Sequence, residues 1–174
     1  TAVSAAPGVT QPADNAAASV PFNLTWTGTP TTVGNYSYTV NINDGTNSTN
    51  FTVTINVTNS APTLVPATGS AFNAGRTYAG LKNTALANAV LTANDANEST
   101  VAITITAVTA APGVTQPADN AAATVPFDLT WTGTPTVHGT FTYTVTVSDG
   151  VNTPQNFTVT FNIAHPALSG TYTI

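Results

Sequence analysis

The chain has 174 residues, 41% of them apolar and only 5% charged, and it contains no cysteine. Its net charge of −5 sets seven acids against two bases, Arg76 and Lys82, and so few cations exclude a phosphate backbone as partner. No apolar run approaches the ~20 residues of a membrane-spanning helix, disulfides and thiolate metal sites are ruled out, and the apolar fraction argues against a disordered chain.

Residues 1–9 carry neither a basic stretch nor an apolar core, so a secretion signal is expected to have been removed or to lie upstream. Thr and Asn occupy the positions where other proteins place Lys and Glu. Thr also fits a pleated strand, so one residue type supplies polarity and strand preference together. The lack of cysteine is compatible with the cytosol, but so few charges read as a bacterial or archaeal exterior, and an extracellular, cell-surface location is expected.

The dominant feature is a repeat. Residues 2–57 return almost unchanged as 107–163, with one residue inserted after Asp149-Gly150, the counterpart of Asp44-Gly45. A period near 100 residues is the size of a whole small domain rather than a solenoid coil. The loop at 5–18, AAPGVTQPADNAAA, recurs identically at 110–123. Loops ordinarily drift faster than cores, which makes Asp14, Asn15, Asp119 and Asn120 candidate polar contacts of a repeated interaction surface. Recent duplication would give the same identity.

In chain order, Phe22, Leu24 and Trp26 alternate with polar residues, and Gly28-Thr29-Pro30 ends that run. Tyr36, Tyr38, Val40 and Ile42 then alternate up to Asp44-Gly45, a hairpin signal. Phe51, Val53, Ile55 and Val57 follow, and a joint is expected at residues 58–62. Residues 86–91 read as a short strand, and Val101, Ile103 and Ile105 as another. In the second copy Val125, Phe127, Leu129 and Trp131 precede Gly133-Thr134-Pro135. Phe141, Tyr143, Val145 and Val147 lead to Asp149-Gly150, and Phe157, Val159, Phe161 and Ile163 close the pattern before a second joint at 164–166. Period-two alternation places one face in a core and the other in water. Convincing helical periodicity is missing, so the fold class is all-β, with tandem antiparallel β-sandwich domains.

These strands divide the chain out of phase with its repeat. Residues 60–164 form one complete sandwich. Residues 1–59 are the C-terminal half of another, completed by upstream chain or by a donated strand. Residues 165–174 are the first strand of a following domain or the donor strand itself. Alone, residues 1–59 would expose the face carrying Phe22, Leu24, Trp26, Tyr36 and Tyr38, each worth roughly 1.5–3 kcal/mol on burial.

At Gly28-Thr29-Pro30 with Gly34, and at Gly133-Thr134-Pro135 with Gly139, each followed by an aromatic and Val strand, the chain resembles the immunoglobulin-like repeats of large bacterial surface proteins. The Asp-Gly strand ends and Ala-Pro linkers are similar to bacterial cadherin-like repeats. The resemblance implies an Ig-like fold and a stalk or spacer role in a surface adhesin or filament. Cadherin-like repeats hold calcium through linker acids, and the linkers here carry no Asp or Glu.

Asp95, Asn97 and Glu98 make the densest oxygen cluster and are the calcium candidate. The plainer reading is a polar turn, and no other cofactor is expected. Asp44 and Asp149 read as turn residues because Gly follows each. His138 corresponds to Val33 in the other copy, and no catalytic constellation recurs, so the chain is not expected to be an enzyme. Sequons at Asn23, Asn35, Asn47, Asn50, Asn56, Asn97 and Asn156 are glycosylation candidates.

The function expected is that of a stalk or shaft of a surface filament or adhesin, with further copies or adjacent repeats as partners. The alternatives are a module that recognises glycan or ice through loops or Thr faces, and an accessory domain of a secreted enzyme.

Overall fold

The computed structural model describes residues 1–167. They form strands, turns and loops, and no helix occurs among them. The chain divides at Asn59/Ser60 into two compact units.

The first unit contains β1 (Ala2–Ser4), β2 (Val9–Thr10), β3 (Thr27–Gly28), β4 (Gly34–Asn43) and β5 (Ser48–Val57). The β4–β5 hairpin is antiparallel from Gly34↔Val57 to Asn43↔Ser48, as the two alternating runs predict. β1 pairs only with the start of β4, at Ser37 and Tyr38, and β2 pairs with β3. A small nucleus forms at this end. Tyr38 is buried at 2% exposure, and its hydroxyl accepts the Ala6 amide at 3.0 Å. The Trp26 ring packs edge-on against it.

The second unit contains β6 (Thr63–Pro66), β7 (Thr77–Leu81), β8 (Val90–Asn94), β9 (Thr100–Thr109), β10 (Val114–Thr115), β11 (Asn120–Thr124), β12 (Phe127–Thr130), β13 (Thr132–Gly133), β14 (Gly139–Ser148) and β15 (Gln155–Ala164). One sheet runs β11-β9-β14-β15-β7, the other β12-β8-β6, with β10–β13 as a short separate ladder. All pairs are antiparallel except β7, which runs parallel to β15. The inward residues of both sheets make one core. Leu64, Leu91, Ala93 and Leu129 of the smaller sheet meet Val101, Ile103, Ile105, Tyr143, Val145, Val147, Val159, Phe161 and Ile163 of the larger. Phe72, Tyr78, Trp131 and Phe161 interlock mainly edge to face, a geometry that adds to simple burial. The unit is a β-sandwich, as the alternation predicts.

Several elements differ from the sequence reading. The strand expected over 86–91 lies at Val90–Asn94, because Leu86 and Ala87 belong to the preceding turn, where the Tyr78 hydroxyl accepts the Ala87 amide. Strands β6 and β7 were not expected. β7 contains Gly80 and only one large apolar residue facing the core, Tyr78, so its strand state comes from pairing with β15. The repeated stretch 110–123, read as a loop, holds β10 and most of β11. Its Ala run has no alternation of its own and is extended by β9 beside it. In the first unit Tyr38 is not exposed as expected, since the Ala6–Tyr38 contact buries it. The expected donor segment 165–174 lies outside the described residues from 168 onward.

Candidate functional site

The same local framework is built in both units. Ala6 donates to Tyr38 and Ala111 to Tyr143, both at 3.0 Å and both buried. Gly8 and Gly28 lie back to back at positive φ, where a Cβ on either would run into backbone oxygen of the facing segment; Gly113 and Gly133 repeat the arrangement. Only glycine fits such an approach, which explains the Gly in Gly-Thr-Pro. Val20-Pro21 and Val125-Pro126 are both cis.

Beyond this framework the units diverge. In the second, residues 120–124 and 127–130 are strands because β9 and β8 lie beside them. In the first, the equivalent residues 15–19 and 22–25 pair with no strand among the described residues. The result is an open groove of about 980 Å³. Phe22, Leu24, Trp26, Tyr38, Val40 and Ile42 supply its apolar lining, and Gln11, Asp14 and Asn15 part of its polar rim. Phe22 is 47% exposed and Leu24 37%, whereas their counterparts are half-buried Phe127 and fully buried Leu129. A groove of this volume lies at the upper end of ligand-sized clefts.

The four candidate contacts of the repeated loop fall into two sets. In the second unit they act within their own fold. Asp119 Oδ1 accepts the Ile105 amide at 2.7 Å, and Gln116 Nε2 donates to the Ile105 carbonyl at 3.0 Å. Asn120 Oδ1 accepts the Ala122 amide, and in the first unit Asn15 Oδ1 accepts that of Ala17 in the same way. Asp14 and Gln11 instead line the groove. Sequence reading singled out Asp14 and Asp119 but not Gln11 and Gln116, which lie in the same identical stretch.

Around the calcium candidate, Asp95 Oδ1 accepts the amides of Asn97 and Glu98, closing a turn. Asn97 Oδ1 accepts the Ser60 amide at 2.8 Å, so it ties down the start of the unit. Asp95 Oδ2 is buried with no hydrogen-bond partner in the structure, as are the indole nitrogens of Trp26 and Trp131. Glu98 is half-exposed. Among the described residues no three His, Asp or Glu side chains gather as a metal cluster.

Asp44 and Asp149 cap the hairpins. Asp44 Oδ1 accepts the amides of Asn47 and Thr46, which hold its carboxyl below the ordinary value. At Asp149 lost hydration pushes the carboxyl up, but the amides of Val151 and Asn152 and the Asn152 side chain outweigh it, and it too lies low.

All seven sequon asparagines are exposed. His138 and His165 stack edge to face at 5.8 Å. The outward Thr rows of β9, β14 and β15 lie side by side, with Thr106–Thr144–Thr158 and Thr104–Thr146–Asn156 in register. These rows carry no charged side chain.

No protein-family model and no curated protein matches the chain. Among solved structures, domains 4 and 5 of the S-layer protein SbsC are similar over 79% of this chain, at 18% identity and a TM-score of 0.41. The chain spans 62% of the length of that structure, less than two thirds.

Proposed function

We propose that the chain is a segment of an extracellular structural protein, the stalk or shaft of a surface filament or adhesin built from repeated Ig-like sandwiches. The observation that carries this is the framework built twice. The Tyr-to-Ala hydrogen bond, the Gly–Gly approach and the long hairpin recur with nearly the same residues in both units. What the sequence keeps is a building unit rather than a single chemical site.

The working principle is mechanical and requires no bond to be made or broken in a substrate. The ten-residue strands β14 and β15 form a continuous antiparallel ladder, and stretching the chain from its ends must shear or unzip such ladders. Linker prolines Pro62 and Pro166 restrict bending at the joints. The Thr/Asn face permits close lateral packing of neighbours, because charge repulsion is nearly absent. Copies of the chain or adjacent repeats are the partners in this function.

Electron microscopy of the purified chain is the direct test. Extended particles or fibres are expected. Compact monomers that bind a glycan saturably would overturn the structural role in favour of a recognition module.

A further inference from the structure

The chain contains two histidines, and the second unit brings both to one place. His138 stands in the turn before β14, and His165 directly follows β15, whose Ile163 pairs with Gly139. Their ring centroids lie 5.8 Å apart, with an interplanar angle of 74°. Both residues are exposed. Neither position is histidine in the first copy, where Val33 and Asn59 stand instead. Two separate departures from the repeat thus produce a single pair.

The tautomer of His165 is set by its own backbone. Its Nδ1 lies 2.9 Å from the Pro166 carbonyl oxygen. That oxygen only accepts, so Nδ1 carries the hydrogen and Nε2 of the neutral ring keeps its lone pair. A ring N–H held by a carbonyl is the arrangement that orients histidines toward metal ions. A zinc–nitrogen bond of about 2.0–2.1 Å sets each ring centre about 3.2 Å from the ion, so two imidazoles on one tetrahedral ion have centres about 5 Å apart. The observed 5.8 Å closes to that separation with a small rotation of two exposed side chains. Residues 77–86, 132–140 and 160–167, which pair around the two histidines, contain no Asp or Glu, and Lys82 is the one charged residue among them. A hard cation such as calcium finds no carboxylate on these segments, whereas imidazole suits zinc, copper and nickel.

We infer that His138 and His165 form a two-histidine site for a divalent transition-metal ion of the zinc class. His165 binds through Nε2, and His138 supplies the second nitrogen. Water fills the remaining positions of a four-coordinate ion, as in open zinc sites. The ion ties the residue that leaves β15 to the turn that opens β14, so it staples the edge of the sandwich rather than its core. Because it binds the folded pair and not the unfolded chain, it adds stability as metal concentration rises. This site is independent of the shaft role, and neither requires the other.

Titration of the intact chain with Zn²⁺ alone, followed by calorimetry and by the NMR signals of both imidazole rings, tests the site. One ion per chain is expected to bind saturably at submillimolar zinc, moving the signals of both rings together and raising the melting temperature. His138→Val and His165→Asn install the residues that the first copy carries at these positions, so both variants should keep the β14–β15 hairpin. Each should weaken zinc binding at least about ten-fold and remove the thermal shift. Calcium at the same concentrations should leave both rings unmoved. No zinc binding, a response of only one ring, or undiminished binding in either variant would overturn the inference.

Discussion

The two units hold nearly the same residues and reach different ends. Leu129 is fully buried between two sheets, and Leu24, the same residue in the other copy, is 37% exposed. Residues 127–130 are a strand and 22–25 are not. Yet the Tyr–Ala hydrogen bond and the Gly–Gly approach form equally well in both. Local chemistry thus suffices for turns, caps and the hairpin, while the outer strands depend on a neighbour. A strand that lacks alternation or lies at an edge acquires its state from the ladder beside it.

Matched substitutions sharpen this contrast. Leu129→Ala should cost about 2–5 kcal/mol, as for other fully buried leucines, whereas Leu24→Ala should cost about 1 kcal/mol or less. Hydrogen exchange of each unit within the intact chain would read both, and equal costs would break the contrast. Gly133→Ala and Gly28→Ala should each cost more than about 1 kcal/mol, because the new Cβ meets carbonyl oxygen at a positive φ. Here the units are expected to respond alike. Tyr143→Phe and Tyr38→Phe should again behave as a pair, each losing about 1–1.5 kcal/mol with the hydrogen bond to the Ala amide. A large Tyr143 effect beside a negligible Tyr38 effect would show that the first unit's nucleus is not formed.

The smallest effect concerns acid. Asp149 and Asp44 both lie below the ordinary carboxylate value of 3.8 in the folded chain. A depressed folded pKa adds stability that is complete above the unfolded value and disappears as pH falls through the folded one. Acid titration below pH 3.8 should therefore loosen both hairpins. Asp149→Asn should flatten that slope in the second unit while leaving the Asp44 hairpin as it was. An unchanged slope would remove the capping amides as the cause.

Much of the fold was legible because its long strands carry their own pattern. Tyr143, Val145 and Val147, with Asp149-Gly150 after them, declare a hairpin from alternation and turn chemistry alone. Two of the partner-dependent strands, β7 and β11, were not legible. β7 passes through Gly80 and runs parallel to β15, and β11 crosses an Ala run, so neither advertises a buried face. The groove was legible as a surplus of apolar residues in residues 1–59. Its extent was not, since the burial of Tyr38 depends on a hydroxyl reaching the Ala6 amide from 32 residues away. The roles of Gln116 and Asp119 were hidden for the same reason: identity of the two loops shows that they recur, not that they hold the Ile105 backbone.

The central claim is that a neighbouring strand, rather than local sequence, decides the state of these repeated segments. Amide hydrogen exchange on the dilute, intact chain tests it most directly, by comparing residues 22–25 with 127–130. The account predicts slow exchange at 127–130, where β8 pairs with them, and exchange near the unprotected rate at 22–25. Equal protection of the two segments would contradict it.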